Sequence, residues 1–133
     1  MVSNKKRGTK FEEDFAEFLA NRGYWVHLVA GANYSGEQPA DIVACQNDKV
    51  WLIDCKLLQN KSGTFNLERL EENQRSCFER FKQCGNNNYC LAILWNNNAY
   101  FVNLSNIDFK NKKSINVKDF IIIKRGFYED TNR

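Results

Sequence analysis

Three charged residues interrupt stretches of sequence that are otherwise apolar. Asp41 sits in Pro39-Ala40-Asp41-Ile42-Val43-Ala44, and Asp54 and Lys56 sit in Val50-Trp51-Leu52-Ile53-Asp54-Cys55-Lys56-Leu57. Side chains alternate along a strand, so Asp54 and Lys56 project from one face while Trp51, Ile53 and Cys55 share the other. Two carboxylates from neighbouring strands can converge on a hard divalent cation such as Mg²⁺, which takes one or two carboxylate oxygens and keeps waters for a substrate phosphate. The ion would acidify a bound water and neutralise charge on the phosphate, and a lysine beside it would orient that water or meet developing negative charge. Metal-assisted phosphodiester hydrolysis is the chemistry this set could carry. A structural salt bridge among Asp41, Asp54 and Lys56 would leave the same three residues, and Asp54-Cys55-Lys56 alone does not separate the two readings.

The elements around these residues can be read from periodicity. Phe11, Phe15, Phe18 and Leu19 recur at helical spacing, Thr9 and Glu12 form a capping-box pattern and Gly23 offers a stop, which predicts a helix over residues 9–22. Residues 24–29 are strand formers, and residues 31–38 read as a small-residue loop. The runs 40–44 and 50–57 flank Gln46-Asn47-Asp48, a hairpin signal that would place Asp41 beside Asp54. Residues 59–66 are polar. Leu67, Leu70, Cys77, Phe78 and Phe81 predict a second helix over 67–84, ended by Gly85 and three asparagines. The runs 89–95 and 99–104 flank Asn96-Asn97-Asn98, a second hairpin. Beyond Ser105 no single period holds, and the segment reads as a short helix or an edge strand. The order helix, three strands, helix, two strands gives an α/β layer fold with about five strands in one domain over 1–133, carrying a basic leader at 1–8 and a C-terminal extension at 105–133.

Composition limits the function classes. The 133 residues suffice for one core, and 43% hydrophobic with 14% aromatic content is far from that of a disordered chain. Five cysteines with no C-x-x-C pair argue against a disulfide framework or a zinc site and for reduced thiols. No apolar run approaches the roughly 20 residues that span a bilayer, and the first residues lack a signal peptide's apolar stretch, so a cytoplasmic protein without membrane contact is expected. The net charge of +3 is unevenly placed, with Lys5, Lys6, Arg7 and Lys10 at the start and Lys110, Lys112, Lys113, Lys118, Lys124 and Arg125 at the end. Either end could touch phosphate or be a solvated terminus. Lone His27 has no Ser or Cys partner placed by any motif and is assigned no role.

Context joins the charged residues to a known pattern. Arg7-Gly8-Thr9-Lys10-Phe11-Glu12 resembles an opening motif of a glycine and a helix with an early glutamate; Pro39-Ala40-Asp41 resembles a P-D element; Asp54-Cys55-Lys56 fills a (D/E)-x-K position. Over residues 7–104 the chain thus resembles the PD-(D/E)XK nucleases, and within them the Holliday junction resolvases of the RecU and archaeal Hjc types. Phe65-Asn66-Leu67 followed by Glu72-Asn73-Gln74 resembles the RecU-type segment whose glutamine faces the catalytic centre. Three departures stand: Ala40 separates Pro39 from Asp41, Asp54 replaces the commoner Glu, and the RecU-type Pro and His neighbours are absent.

The resemblance implies a restriction-endonuclease-like core, a central mixed β-sheet flanked by helices. It implies that Asp41 and Asp54 bind Mg²⁺ or Mn²⁺ with the Cys55 backbone carbonyl as a further ligand, that Lys56 assists the attacking water and that Glu12 completes the metal or water shell. Gln74 would orient Lys56 or the phosphate. Ser35 would contact the scissile strand, and Lys5, Lys6, Arg7, Lys10 and Lys61 would bind DNA. The activity implied is endonucleolytic cleavage of branched DNA at four-way junctions by a homodimer, in DNA recombination and repair. Rival readings are another PD-(D/E)XK nuclease of restriction or single-strand type, which the same core would serve; an inactive DNA-binding recombination accessory protein, against which the intact Asp41, Asp54, Lys56 set counts; and an unrelated interaction domain, which would not explain pairing of 40–44 with 50–57. Each residue also has a plainer role to play: Glu12 as a helix cap and Gln74 as a surface side chain.

Overall fold

The computed structural model describes residues 4–29, 40–109 and 111–129, with only the backbone of residues 4 and 5. Helix α1 (Asn4–Ala20) buries Phe11, Phe15 and Leu19, one turn apart along a single stripe. It ends where Gly23 adopts φ 90° and its N–H bonds the Ala20 carbonyl at 3.1 Å. The helix starts five residues earlier than periodicity predicts, so residues 4–8 of the expected basic leader are helical. Lysine and arginine are good helix formers, and the single Gly8 costs only about 1 kcal/mol against alanine. Thr9 and Glu12 therefore lie inside the helix, where no orphan N–H groups need them, and the expected capping box does not form.

Strands β1 (Trp25–Leu28), β2 (Ile42–Gln46) and β3 (Lys49–Leu57) form an antiparallel meander. The β2–β3 turn is two residues long, and Asn47 and Asp48 take φ of 52° and 64°, the left-handed conformation that asparagine and aspartate tolerate and that matches strand twist. A crossover follows, holding the short strand β4 (Thr64–Asn66) and helix α2 (Glu72–Gln83), before β5 (Tyr89–Trp95) pairs parallel with β3. Strand β6 (Asn98–Asn103) returns antiparallel through a matching turn, Asn96 and Asn97 at φ 50° and 60°.

The C-terminal segment supplies β7 (Ser114–Asn116) and β8 (Ile121–Lys124). Strand β8 pairs with β6 at the edge, so the main sheet has six strands in the order β1-β2-β3-β5-β6-β8 where about five were expected. The edge-strand alternative for residues beyond 105 is the one realised. In addition, β7 pairs with β4 as a separate two-stranded sheet that sequence periodicity did not predict. Three single 3₁₀ turns follow β4, β6 and β7, each opened by an asparagine, Asn66, Asn103 or Asn116, whose side-chain oxygen accepts the N–H two residues on.

The sheet is covered on both faces. Helix α1 packs with Ile42, Ala44, Ile53, Cys90, Ala92 and Ala99 on one side. On the other, α2 and the small sheet cover Leu52, Tyr89, Leu91 and Ile93. Phe127 closes over α1, its ring centroid 5.3 Å from Phe11, 6.2 Å from Phe15 and 5.9 Å from Phe18. No described helix is long and apolar enough to cross a membrane.

Candidate active site

Asp41 lies immediately before β2, opposite the middle of β3, where its N–H bonds the Ile53 carbonyl at 3.1 Å. Its carboxylate Oδ2 accepts the Cys55 N–H at 2.8 Å, so the side chain continues the ladder beyond the first β2 residue. Asp54 is the one buried charged residue among those described, 1% exposed, and lies on the α2 face. A bare carboxylate there would be costly. The Tyr89 hydroxyl, from β5, donates to Asp54 Oδ2 at 2.7 Å. The parallel register sets Leu52 beside Tyr89 and Asp54 beside Leu91, which brings the tyrosine to the aspartate's face. Sequence reasoning did not find Tyr89, because nothing in an apolar run says which strand will lie next to it.

Glu12, Asp41, Asp54, Cys55, Lys56 and Gln74 line one cleft of about 230 Å³, together with Ala40, Glu71 and Asn73. The hairpin, α1 and the start of α2 thus converge at one end of the sheet. Gln74 has a structural task as well: its Oε1 accepts the Glu71 N–H at 3.0 Å and caps α2. With Oε1 so engaged, the amide Nε2 is its remaining donor.

Of the residues expected to meet DNA, Lys6 and Arg7 are exposed on the first turns of α1, and Lys61 is exposed before β4. Lys10 pairs with Asp14 at 2.7 Å and lies over the Tyr128 ring, outside the cleft. The side chain of Lys5, and Ser35 with its whole loop, fall outside the described residues. His27 is exposed and stacks beside Trp25.

The cleft concentrates negative charge around a single lysine. Burial first, then the charges of Asp41 and Asp54, push Glu12 up to about 7. Burial and then Asp41 push Asp54 up to about 6, against the Tyr89 hydrogen bond and Lys56, which pull it down. Burial also raises Asp41, opposed by the Cys55 N–H and Lys56. The Tyr89 hydroxyl is held far above its ordinary range by burial and by Asp54, so it stays a donor.

A profile of the family described as archaeal Holliday junction resolvase (Hjc) matches residues 3–127. The chain belongs to the archaeal Holliday junction resolvase family. It is accordingly a junction-resolving endonuclease, and of the two resolvase types it resembles, the archaeal one is the match. Among solved structures, the Hjc Holliday junction resolvase of Archaeoglobus fulgidus, an archaeal hyperthermophile, is similar at TM-score 0.67 and 21% identity over 87% of this chain and 96% of that one. That likeness shows the fold, a central mixed six-stranded sheet flanked by helices. No curated protein matches in sequence.

Resolvase nucleases of this family use a divalent metal, and the donor set can be tested for one. Among the described residues no three His, Cys, Asp or Glu side chains are gathered into a ready-made cage. Two oriented carboxylates in a polar cleft nevertheless fit a hard ion that needs only one or two protein carboxylates, with substrate and water completing its shell. Their mutual repulsion is what such an ion would relieve.

Proposed function

We propose that this cleft cuts four-way DNA junctions by Mg²⁺-dependent hydrolysis, with Asp41 and Asp54 as the metal ligands and Lys56 beside the attacked phosphate. The observation that supports it most is the pairing of the two carboxylates. Each is held in a fixed orientation, Asp41 through Oδ2 by the Cys55 N–H and Asp54 through Oδ2 by Tyr89 and by the Asp41 backbone, and both line the cleft where an ion would sit. A strand residue's N–H and C=O point to the same side, so the Cys55 carbonyl is turned toward the Asp41 edge and can join them.

When bound, the ion would supply an acidified water and positive charge at the phosphate. The chain's own residues do the rest. Lys56 carries a cation to the phosphate oxygen where charge grows. Glu12 holds the attacking water from the α1 side, and the Gln74 amide donates to a phosphate oxygen. Lys6 and Arg7, on the exposed first turns of α1, meet the DNA backbone. Ser35 would contact the scissile strand from the loop before Asp41. A homodimer follows from the substrate, since two strands of a junction are cut symmetrically and a two-fold protein matches that need.

The test incubates the protein with synthetic four-way junctions, linear duplex and single strands, in Mg²⁺ or chelator, beside Asp54→Asn. Metal-dependent cutting of the junction alone, lost in the variant, supports the reading. Equal cutting of linear duplex overturns the junction preference, and tight binding without cutting overturns catalysis. Light scattering of the free protein reads the dimer.

A further inference from the structure

A second cavity, of about 260 Å³, shares Cys55 and Lys56 with the catalytic cleft and is otherwise lined by Gly8, Leu57, Gln59 and Arg69. Its charged lining is wholly positive. Arg69 is exposed, its guanidinium lies 4.9 Å from the centroid of the buried Phe65 ring, and no carboxylate pairs with it among the described residues. Stacking of this kind orients a guanidinium while leaving its N–H edge available.

The backbone that carries Arg69 is pinned at several points. Asn66 accepts the Glu68 N–H at 2.9 Å, and the Leu70 N–H bonds the Leu67 carbonyl at 3.1 Å. Arg75 then reaches back from α2, its Nη2 to the Leu67 carbonyl at 2.8 Å and its Nε to the Leu70 carbonyl at 3.1 Å. Leu67 and Leu70 are buried, and the Leu67 N–H bonds the Lys113 carbonyl, which ties the turn to the small sheet. At the rim, the Arg7 guanidinium donates to the Gln59 side-chain oxygen at 2.8 and 3.3 Å, with the amide turned so that both groups are satisfied. At Gly8 a Cβ would meet nothing within 4 Å, so the α1 wall is open there.

We propose that this cavity is a subsite for one backbone phosphate of the DNA, adjacent to the phosphate being cut, with Arg69 as its ligand. The proposal rests on the nuclease reading above and extends it to a residue with no part in the hydrolytic set. A guanidinium fork matches two phosphate oxygens, and a phosphate contact fixes register without reading sequence. Because Lys56 belongs to both cavities, a strand seated on Arg69 is registered against Asp41 and Asp54. The small sheet and its 3₁₀ turn then have a task, which is to hold that arginine.

The experiment measures binding of a fluorescent four-way junction in chelator, so that no cutting is required. Arg69→Gln should weaken binding about tenfold near 0.1 M salt and reduce the slope of log affinity against log salt by about one. Junctions carrying a single neutral methylphosphonate at successive positions around the branch then locate the phosphate. One position should weaken the wild type by the same factor and leave Arg69→Gln no weaker than before. Unchanged affinity and slope, or losses that add at every position, would make Arg69 a solvated surface residue and overturn the subsite. Should Arg69→Gln melt lower than wild type, Arg69→Lys keeps the charge: retained sensitivity at that one position supports the subsite, and its loss overturns it. Failure of the wild type to cut in Mg²⁺ is scored separately and removes the catalytic reading, not the coupling between Arg69 and a phosphate.

Discussion

The Tyr89 hydroxyl reaches from β5 to Asp54 Oδ2 on β3, a 2.7 Å hydrogen bond between residues 35 positions apart. It orients the most buried carboxylate of the site and favours its charged form. Tyr89→Phe keeps the ring packed against Phe78 and Phe81 and removes only the donor. The expected outcome is a roughly tenfold higher Mg²⁺ midpoint for cleavage, in the range seen when a partner of a metal ligand is lost. A titration of cutting rate against Mg²⁺ measures it, and an unshifted midpoint would show that Tyr89 does not orient a ligand.

The crowded carboxylates give the metal-free protein a pH dependence whose sign can be worked out. Asp54 is raised from 3.8 to about 6 and Glu12 from 4.5 to about 7, so the folded state holds these protons more tightly than the unfolded chain. Their contribution to stability therefore falls as pH rises from about 4 to about 7, and the loss is complete above that range. Asp54→Asn removes its share. In chelator the variant should melt higher than wild type at pH 8 and equal to it at pH 4. Mg²⁺ should raise the wild-type melting temperature more than the variant's, since an ion that binds only the folded state stabilises it. A difference in melting temperature that does not change with pH would contradict the account.

Gln74 combines a cap and a cleft-facing amide, and two substitutions separate them. Gln74→Glu keeps an acceptor for the Glu71 N–H but brings a negative charge to the phosphate, so cleavage should fall at least tenfold with the melting temperature little changed. Gln74→Ala loses both, with about 1 kcal/mol of helix stability. Equal activity of Gln74→Glu and wild type, read in a junction-cutting time course, would leave Gln74 with the cap alone.

Phe127 joins the C-terminal segment to α1 through three rings. Phe127→Ala should cost about 2 kcal/mol, below the roughly 3–5 kcal/mol of a fully buried aromatic because the side chain is only partly buried. Chemical denaturation measures this, and a loss below about 0.5 kcal/mol, typical of surface positions, would mean that residues beyond β8 are dispensable to the core.

Much of this architecture is local and so was legible. The two hairpins announce themselves because Asn47-Asp48 and Asn96-Asn97 sit between apolar runs and tolerate left-handed backbone. The α1 stripe follows from Phe11, Phe15 and Leu19 at helical spacing. The small sheet was not legible, because three-residue strands carry no usable period. Its signal was an apolar-Asn-apolar triplet, Phe65-Asn66-Leu67 and Ile115-Asn116-Val117, repeated at Val102-Asn103-Leu104, in which the asparagine turns the chain into a 3₁₀ segment.

For the site the division is similar. The sequence by itself determined that Asp54 and Lys56 share a face, since alternation along a strand is a local rule, and that the segment carrying Asp41 pairs with theirs, since a tight asparagine-aspartate connection joins the two runs. Only the tertiary structure decided that Tyr89 would satisfy Asp54, that Glu12 would reach the same cleft from inside a longer helix, and that Arg69 would stand beside Lys56. Those three contacts depend on the order of strands in the sheet and on the packing of α1, α2 and the small sheet around it. Chain entropy and burial over the whole molecule settle that order, and no segment of the chain carries it alone.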